Sequence, residues 1–132
     1  MSIPTLFPQT VSLEEALKRY FGYGNFRFDQ KLIIERVLKN KDVMVIMPTG
    51  GGKSLCYQLP ALLREGVTIV VSPLIALMQD QVVALQDNGI GATFLNSTVS
   101  FDEVQSRQQA VLSGDIKLLY IAPERLFTPI FI

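Results

Sequence analysis

The sequence has 132 residues, 48% of them hydrophobic, which is about the size of one domain with enough apolar side chains for a core. Twelve basic and twelve acidic residues cancel, so no overall charge attracts the chain to nucleic acid or to a membrane surface. The chain has no histidine and one cysteine, which excludes histidine-based catalysis, histidine metal ligands and an intramolecular disulfide within it. No apolar run approaches the ~18 residues that span a bilayer, so we expect a soluble intracellular protein.

The first predicted elements are two helices and a strand. Ser12 and Glu15 form a capping box that begins a short helix ending near Tyr20. Apolar side chains at i, i+3 and i+4 predict a second helix over about residues 28–39. The continuous apolar run Val43–Met47 predicts a strand that is buried on both faces, as in parallel sheets.

Strands and helices alternate through the rest of the chain. Apolar runs predict strands over residues 67–71, 92–95 and 116–121. Helices are predicted to follow Ser72-Pro73, a second capping box of Ser100 and Glu103, and Pro123. This alternation predicts an α/β fold with a mostly parallel sheet flanked by helices, and ligands beyond the carboxyl ends of its strands.

A glycine-rich segment lies between the predicted strand at Val43–Met47 and the next helix. Its residues are Thr49, Gly50, Gly51, Gly52, Lys53 and Ser54. Consecutive glycines allow left-handed dihedrals that turn backbone N–H groups onto phosphate oxygens. Lys53 would reach the β- and γ-phosphates of a nucleoside triphosphate, and the Ser54 hydroxyl would bind Mg²⁺. The pattern G-x-x-x-x-G-K-[ST] is matched except at Met47, and an ordinary turn carrying Lys-Ser is the alternative.

Nucleotide hydrolysis in such a fold also needs an acidic residue at the end of a strand to hold Mg²⁺. None of the predicted strands ends in Asp or Glu. We therefore expect the chain to be the front part of a longer protein, with the missing acid downstream of Ile132.

Four segments resemble the RecQ family of superfamily 2 DNA helicases. Tyr20–Tyr23 with Phe26–Gln30 is similar to the adenine-recognition motif, and Gly51–Ala61 is similar to the phosphate loop. Val71–Met78 is similar to motif Ia, and Tyr120–Leu126 is similar to motif Ib. The resemblance implies a RecA-like P-loop NTPase fold that is incomplete, truncated before the Walker B strand. It implies N-terminal helices with the adenine-recognition motif at residues 1–40 and the N-terminal portion of helicase lobe 1 at residues 41–132.

The resemblance assigns three residues to the adenine base. Tyr23 stacks on adenine, Arg27 packs near it, and Gln30 hydrogen-bonds its N6 and N7 edge. A side-chain amide has one donor and one acceptor side, which suits adenine. From the residues alone, Tyr23 and Phe26 as core aromatics and Arg27 as a solvated charge are the favoured alternative. Phe28 stands where many relatives carry proline, so the following helix begins less sharply.

The resemblance also implies contacts with the backbone of single-stranded DNA at three strand-to-helix junctions. The implied DNA-binding residues are Ser72, Pro73, Leu74, Asn96, Ser97, Pro123, Glu124 and Arg125. Free N–H groups and the helix dipole at such junctions suit a phosphate. Ordinary helix caps are the alternative at any single junction.

The implied function is that of an ATP-dependent DNA helicase, which unwinds DNA in the 3′ to 5′ direction during repair and recombination. ATP and Mg²⁺ are the implied cofactors, and single-stranded and duplex DNA the implied partners. The fragment alone should bind nucleotide weakly and lack turnover. The alternatives are a non-catalytic nucleotide-binding or interaction module and an RNA-directed helicase. The expected location is the cytoplasm, at the nucleoid in a bacterium, or the nucleus in a eukaryote.

Overall fold

The computed structural model describes residues 12–47 and 52–126. The chain divides into two compact units, with the boundary between Glu65 and Gly66. Helices make up the regular structure described in the first unit, and strands and helices alternate in the second.

Three helices form the described part of the first unit: α1 (Leu13–Phe21), α2 (Gln30–Leu38) and α3 (Leu55–Leu63). The predicted cap of α1 is confirmed, because the Glu15 N–H donates to the Ser12 hydroxyl at 3.2 Å. Gly22 ends α1 in the left-handed conformation, with its N–H donating to the Lys18 carbonyl.

The core of the first unit lies among these helices. Each helix contributes apolar side chains that are at most 7% exposed: Ala16, Leu17, Ile34, Leu55 and Leu59. Burial of such side chains supplies the main free energy for packing short helices, which are marginal alone.

The prediction of a buried strand at Val43–Met47 is wrong. Residues 41–47 have no regular secondary structure, and Met44 and Ile46 are 90% and 91% exposed. A strand needs a hydrogen-bonded neighbour, and none of the strands in the described ranges pairs with this segment. An apolar run indicates strand propensity, but it cannot show whether a partner strand is present.

The second unit contains a three-stranded parallel sheet. Its elements in chain order are β1 (Thr68–Val71), α4 (Ile75–Asp87), β2 (Ala92–Leu95), α5 (Phe101–Leu112), β3 (Leu118–Ile121) and α6 (Pro123–Leu126). The strand order is β1-β3-β2, and both pairings are parallel. The α/β class with a parallel sheet flanked by helices is therefore confirmed.

Burial differs between the strands of this sheet. All four residues of the central strand β3 are buried. In the edge strand β1, Ile69 and Val71 are 45% and 50% exposed. The apolar run at residues 67–71 therefore forms a strand that is not fully buried, since in β1 the exposed residues alternate with half-buried ones.

The predicted Ser100 cap of α5 is also confirmed. The Glu103 N–H donates to the Ser100 hydroxyl at 3.3 Å, and Gly114 follows the end of α5 with a φ of 88°. The longest described helix, α4, has 13 residues, and none of the helices within residues 12–47 and 52–126 has the length and apolar character required to span a bilayer.

Candidate functional site

Gln30 connects the predicted adenine motif to the glycine-rich segment. It begins α2 and is only 4% exposed. Its side-chain oxygen accepts a hydrogen bond from the Arg27 N–H at 2.8 Å, and its side-chain nitrogen donates to the Gly52 carbonyl at 3.1 Å. One buried amide therefore links two segments that are 22 residues apart in sequence.

Gly52 occupies a position that suits glycine for two reasons. Its φ is 76°, in the left-handed region that L side chains rarely adopt. A Cβ at this position would lie 2.2 Å from the Gln30 side-chain nitrogen. The predicted site residues Thr49, Gly50 and Gly51 lie outside the described residues.

Lys53 and Ser54 lie at the beginning of α3. The Lys53 carbonyl accepts from the Cys56 N–H, and the Ser54 carbonyl accepts from the N–H groups of Tyr57 and Gln58. The Lys53 side chain is exposed, and within the described residues the Ser54 hydroxyl makes no capping bond to the helix. A cation and a hydroxyl beside a helix N-terminus form an arrangement suited to a phosphate and its metal ion.

Cys56, in the first turn of α3, is 6% exposed. Burial raises the pKa of its thiol, which lowers the thiolate fraction near neutral pH. Cys56 is therefore a buried side chain of the first unit rather than a reactive thiol.

The aromatic residues of the predicted adenine motif differ in exposure. Tyr23 is 61% exposed, whereas Phe26 is half-buried against the first unit's core. The alternative of two core aromatics is therefore wrong for Tyr23 and correct for Phe26. An exposed tyrosine ring has a face that could stack on a base.

Arg27 and Phe28 form an exposed pair beside Gln30. The central carbon of the Arg27 guanidinium lies 5.3 Å from the centre of the Phe28 ring. Phe28 has a φ of 50°, a left-handed conformation that costs a non-glycine residue about 1–2 kcal/mol. Nothing in the sequence predicts this conformation at a phenylalanine.

The three predicted DNA junctions share one edge of the sheet in the second unit. Val71 and Leu95 both pair with Ile121, so the carboxyl ends of the strands are aligned. The Ser72 N–H donates to the Ile121 carbonyl at 3.1 Å, and the Ala122 N–H donates to the Leu95 carbonyl at 2.9 Å. The structure therefore brings together the segments that follow all three strands.

The N–H groups expected to be free at these junctions are partly occupied. The Leu74 N–H donates to the Ser72 hydroxyl at 3.2 Å, and the Thr98 N–H donates to the Asn96 side-chain oxygen at 2.8 Å. Asn96 is fully buried, and its side-chain nitrogen lies 3.4 Å from the Met78 sulfur. The Asn96 side chain therefore organises the turn after β2, and the exposed member of this predicted pair is Ser97.

The third junction is also tied into the fold. The Arg125 guanidinium donates to the Val99 carbonyl at 3.3 Å, which connects α6 to the loop after β2. Among the remaining predicted DNA residues, Pro73, Leu74 and Glu124 are exposed and Pro123 is half-buried.

Replacing Asn96 with alanine should lower the free energy of unfolding by about 1–3 kcal/mol, because the buried turn loses its hydrogen-bond acceptor. Urea denaturation followed by circular dichroism measures this loss. Ser97→Ala is the matched control, since an exposed neighbour should change stability by at most about 0.5 kcal/mol. Equal midpoints for the two variants would contradict the assigned role of Asn96.

The DEAD/DEAH box helicase family matches residues 27–131, which is most of the chain. The chain belongs to this helicase family. The match begins at Arg27 and includes the glycine-rich segment and the three predicted DNA junctions.

This helicase-family chain is also similar to named RecQ-type proteins. It is 51% identical to the ATP-dependent DNA helicase RecQ of Haemophilus influenzae over 115 residues, which are 87% of the chain and 19% of that protein. It is 51% identical to the RecQ of Bacillus subtilis over 120 residues, 90% of the chain and 20% of that protein. It is 42% identical to the ATP-dependent DNA helicase Q1 of Rattus norvegicus over 122 residues, 91% of the chain and 20% of that protein.

These identities confirm the RecQ resemblance predicted from the four motifs. The chain spans about a fifth of the length of the curated relatives it matches. The RecQ resemblance assigned Gln30 to adenine, but nothing in the sequence predicted its bond to Gly52, since neither segment indicates the other as a partner.

Proposed function

We propose that this chain supplies the ATP-binding loop and part of the single-stranded DNA track of an ATP-dependent DNA helicase. The observation that carries the proposal is the double hydrogen bond of Gln30, which joins the segment assigned to the base with the segment assigned to the phosphates. A nucleotide requires both recognition elements close together.

The residues of the first unit fit a nucleotide with its magnesium ion. Gly52 has a backbone conformation that suits a phosphate loop, and Lys53 and Ser54 follow it at the N-terminus of α3. Lys53 would neutralise charge on the β- and γ-phosphates, and Ser54 would ligate Mg²⁺ through its hydroxyl oxygen. The bound ion would supply further neutralisation of the phosphate oxygens.

The base would be held by Tyr23, Arg27 and Gln30. Tyr23 exposes most of its side chain for stacking. The Gln30 amide keeps a second N–H and a second oxygen lone pair after its two backbone contacts, and these match the N7 and N6 groups of adenine.

The DNA track would follow the carboxyl edge of the sheet in the second unit. The junctions after β1, β2 and β3 lie side by side there, and Leu74, Ser97 and Glu124 are exposed on them. The relatives' names support DNA rather than RNA as the nucleic acid. For the whole protein we propose unwinding in the 3′ to 5′ direction, in repair and recombination.

The Gln30→Ala variant tests the assignment of the base. The wild-type chain should bind ATP more tightly than GTP. The ratio of these two affinities should fall about tenfold in the variant, because a bidentate amide–base pair provides about 1–3 kcal/mol of discrimination. Titration of fluorescent ATP and GTP analogues measures both affinities. The loss of the Gly52 bond should weaken both nucleotides equally, so the ratio isolates the base contact.

Gln105→Ala is the matched control, because Gln105 is an exposed glutamine on α5 in the other unit. It should leave both affinities unchanged. An ATP/GTP ratio in Gln30→Ala equal to that of the wild type would refute the adenine contact.

A further inference from the structure

Phe28 combines two unfavourable features in a short segment. Its backbone lies in the left-handed region at a φ of 50°, and its side chain is 73% exposed. Exposure leaves the ring little burial to offset the conformational cost. A conformation of this kind persists only where the surrounding structure imposes it, and such positions concentrate at functional sites.

The surrounding hydrogen bonds impose this conformation. The Gln30 side-chain oxygen accepts from the Arg27 N–H, and the Gln30 N–H donates to the Arg27 carbonyl at 3.1 Å. These two bonds enclose Phe28 and Asp29 in a tight turn. The turn places the Phe28 ring against the Arg27 guanidinium, whose central carbon is 5.3 Å from the ring centre and thus within cation–π range.

We propose that Phe28 is a positioning residue that orients the Arg27 guanidinium toward the purine base of a bound nucleotide. The inference rests on the proposed nucleotide-binding function. A guanidinium is planar, so one face can lie on the Phe28 ring while the other contacts a second flat partner. An exposed arginine otherwise samples many rotamers. Contact with the Phe28 ring restricts these rotamers before the nucleotide binds, so less conformational entropy is lost on binding.

The Phe28→Asn variant tests this role. Asparagine tolerates the left-handed conformation, so the turn should persist while the ring is lost. The affinity for a fluorescent ATP analogue should fall about threefold, with a thermal midpoint equal to or above that of the wild type. Phe28→Tyr keeps the ring and should keep the wild-type affinity.

A double-mutant cycle with Arg27→Ala separates positioning from a general structural effect. In the Arg27→Ala background, Phe28→Asn should cause no further loss of affinity, because the ring acts through the guanidinium. Equal losses in both backgrounds, or wild-type affinity in Phe28→Asn, would overturn the inference.

Lys53→Ala, measured alongside, distinguishes this inference from the proposed function. If Lys53→Ala loses ATP but Phe28→Asn binds as the wild type does, only the role of Phe28 fails. If the wild-type chain does not bind ATP, or Lys53→Ala binds it equally well, the proposed site and the role of Phe28 fail together.

Discussion

The Lys53→Ala variant should bind ATP roughly 10- to 100-fold more weakly than the wild-type chain. The loss corresponds to one hydrogen bond from a charged donor, about 1.5–3 kcal/mol. Lys53 lies at the N-terminus of α3 beside Gly52, where an ammonium group would add to the helix dipole. Because the side chain is exposed, its removal should leave the fold intact. Equilibrium titration with a fluorescent ATP analogue measures the affinity, and circular dichroism verifies the fold.

The control for this variant is Lys18→Ala. Lys18 is also exposed in the first unit, but it lies in the last turn of α1 and takes no part in the proposed site. It should bind ATP as the wild type does, which excludes an effect of net charge alone. Equal ATP affinities in Lys53→Ala and Lys18→Ala would disprove the phosphate-binding role of Lys53.

The sequence predicted those parts of the fold that depend on local signals. Ser12 and Ser100 cap their helices as predicted, because a capping box is completed within four residues. The strand Ala92–Leu95 was predicted at its observed bounds. The segment Val43–Met47 was not predicted correctly, because an apolar run indicates strand propensity and cannot show whether another strand pairs with it.

The sequence can indicate which residues belong to the candidate site, but it cannot indicate the contacts between them. The glycine-rich pattern selects Gly52, Lys53 and Ser54 as candidates because phosphate loops carry these residue types at this spacing. The bond between Gln30 and Gly52 joins segments 22 residues apart and depends on how α2 packs against α3. Likewise, a parallel sheet predicts that the three junctions proposed for DNA share an edge, but not that the Asn96 side chain is buried.

The Gly91→Ala variant should be among the least stable single substitutions in this chain. A Cβ on Gly91 would lie 2.0 Å from the Asp115 carbonyl oxygen and 3.1 Å from its carbonyl carbon, and neither is a side-chain atom that can rotate away. The Gly91 carbonyl also accepts hydrogen bonds from the N–H groups of Lys117 and Leu118, at 2.8 and 3.3 Å. The clash must therefore displace the start of β3, the central strand of the sheet.

We expect Gly91→Ala to lower the free energy of unfolding by about 3 kcal/mol, the upper part of the usual range for overpacking. In a chain of this size the thermal midpoint should fall by roughly 10 °C. Gly24→Ala is the matched control, because a Cβ there meets no atom within 4 Å. It should change stability by at most about 1 kcal/mol. Because the sheet aligns the three proposed DNA junctions, Gly91→Ala should also weaken any binding of single-stranded DNA. A thermal midpoint equal to that of Gly24→Ala would show that the chain between β2 and β3 is not packed as described.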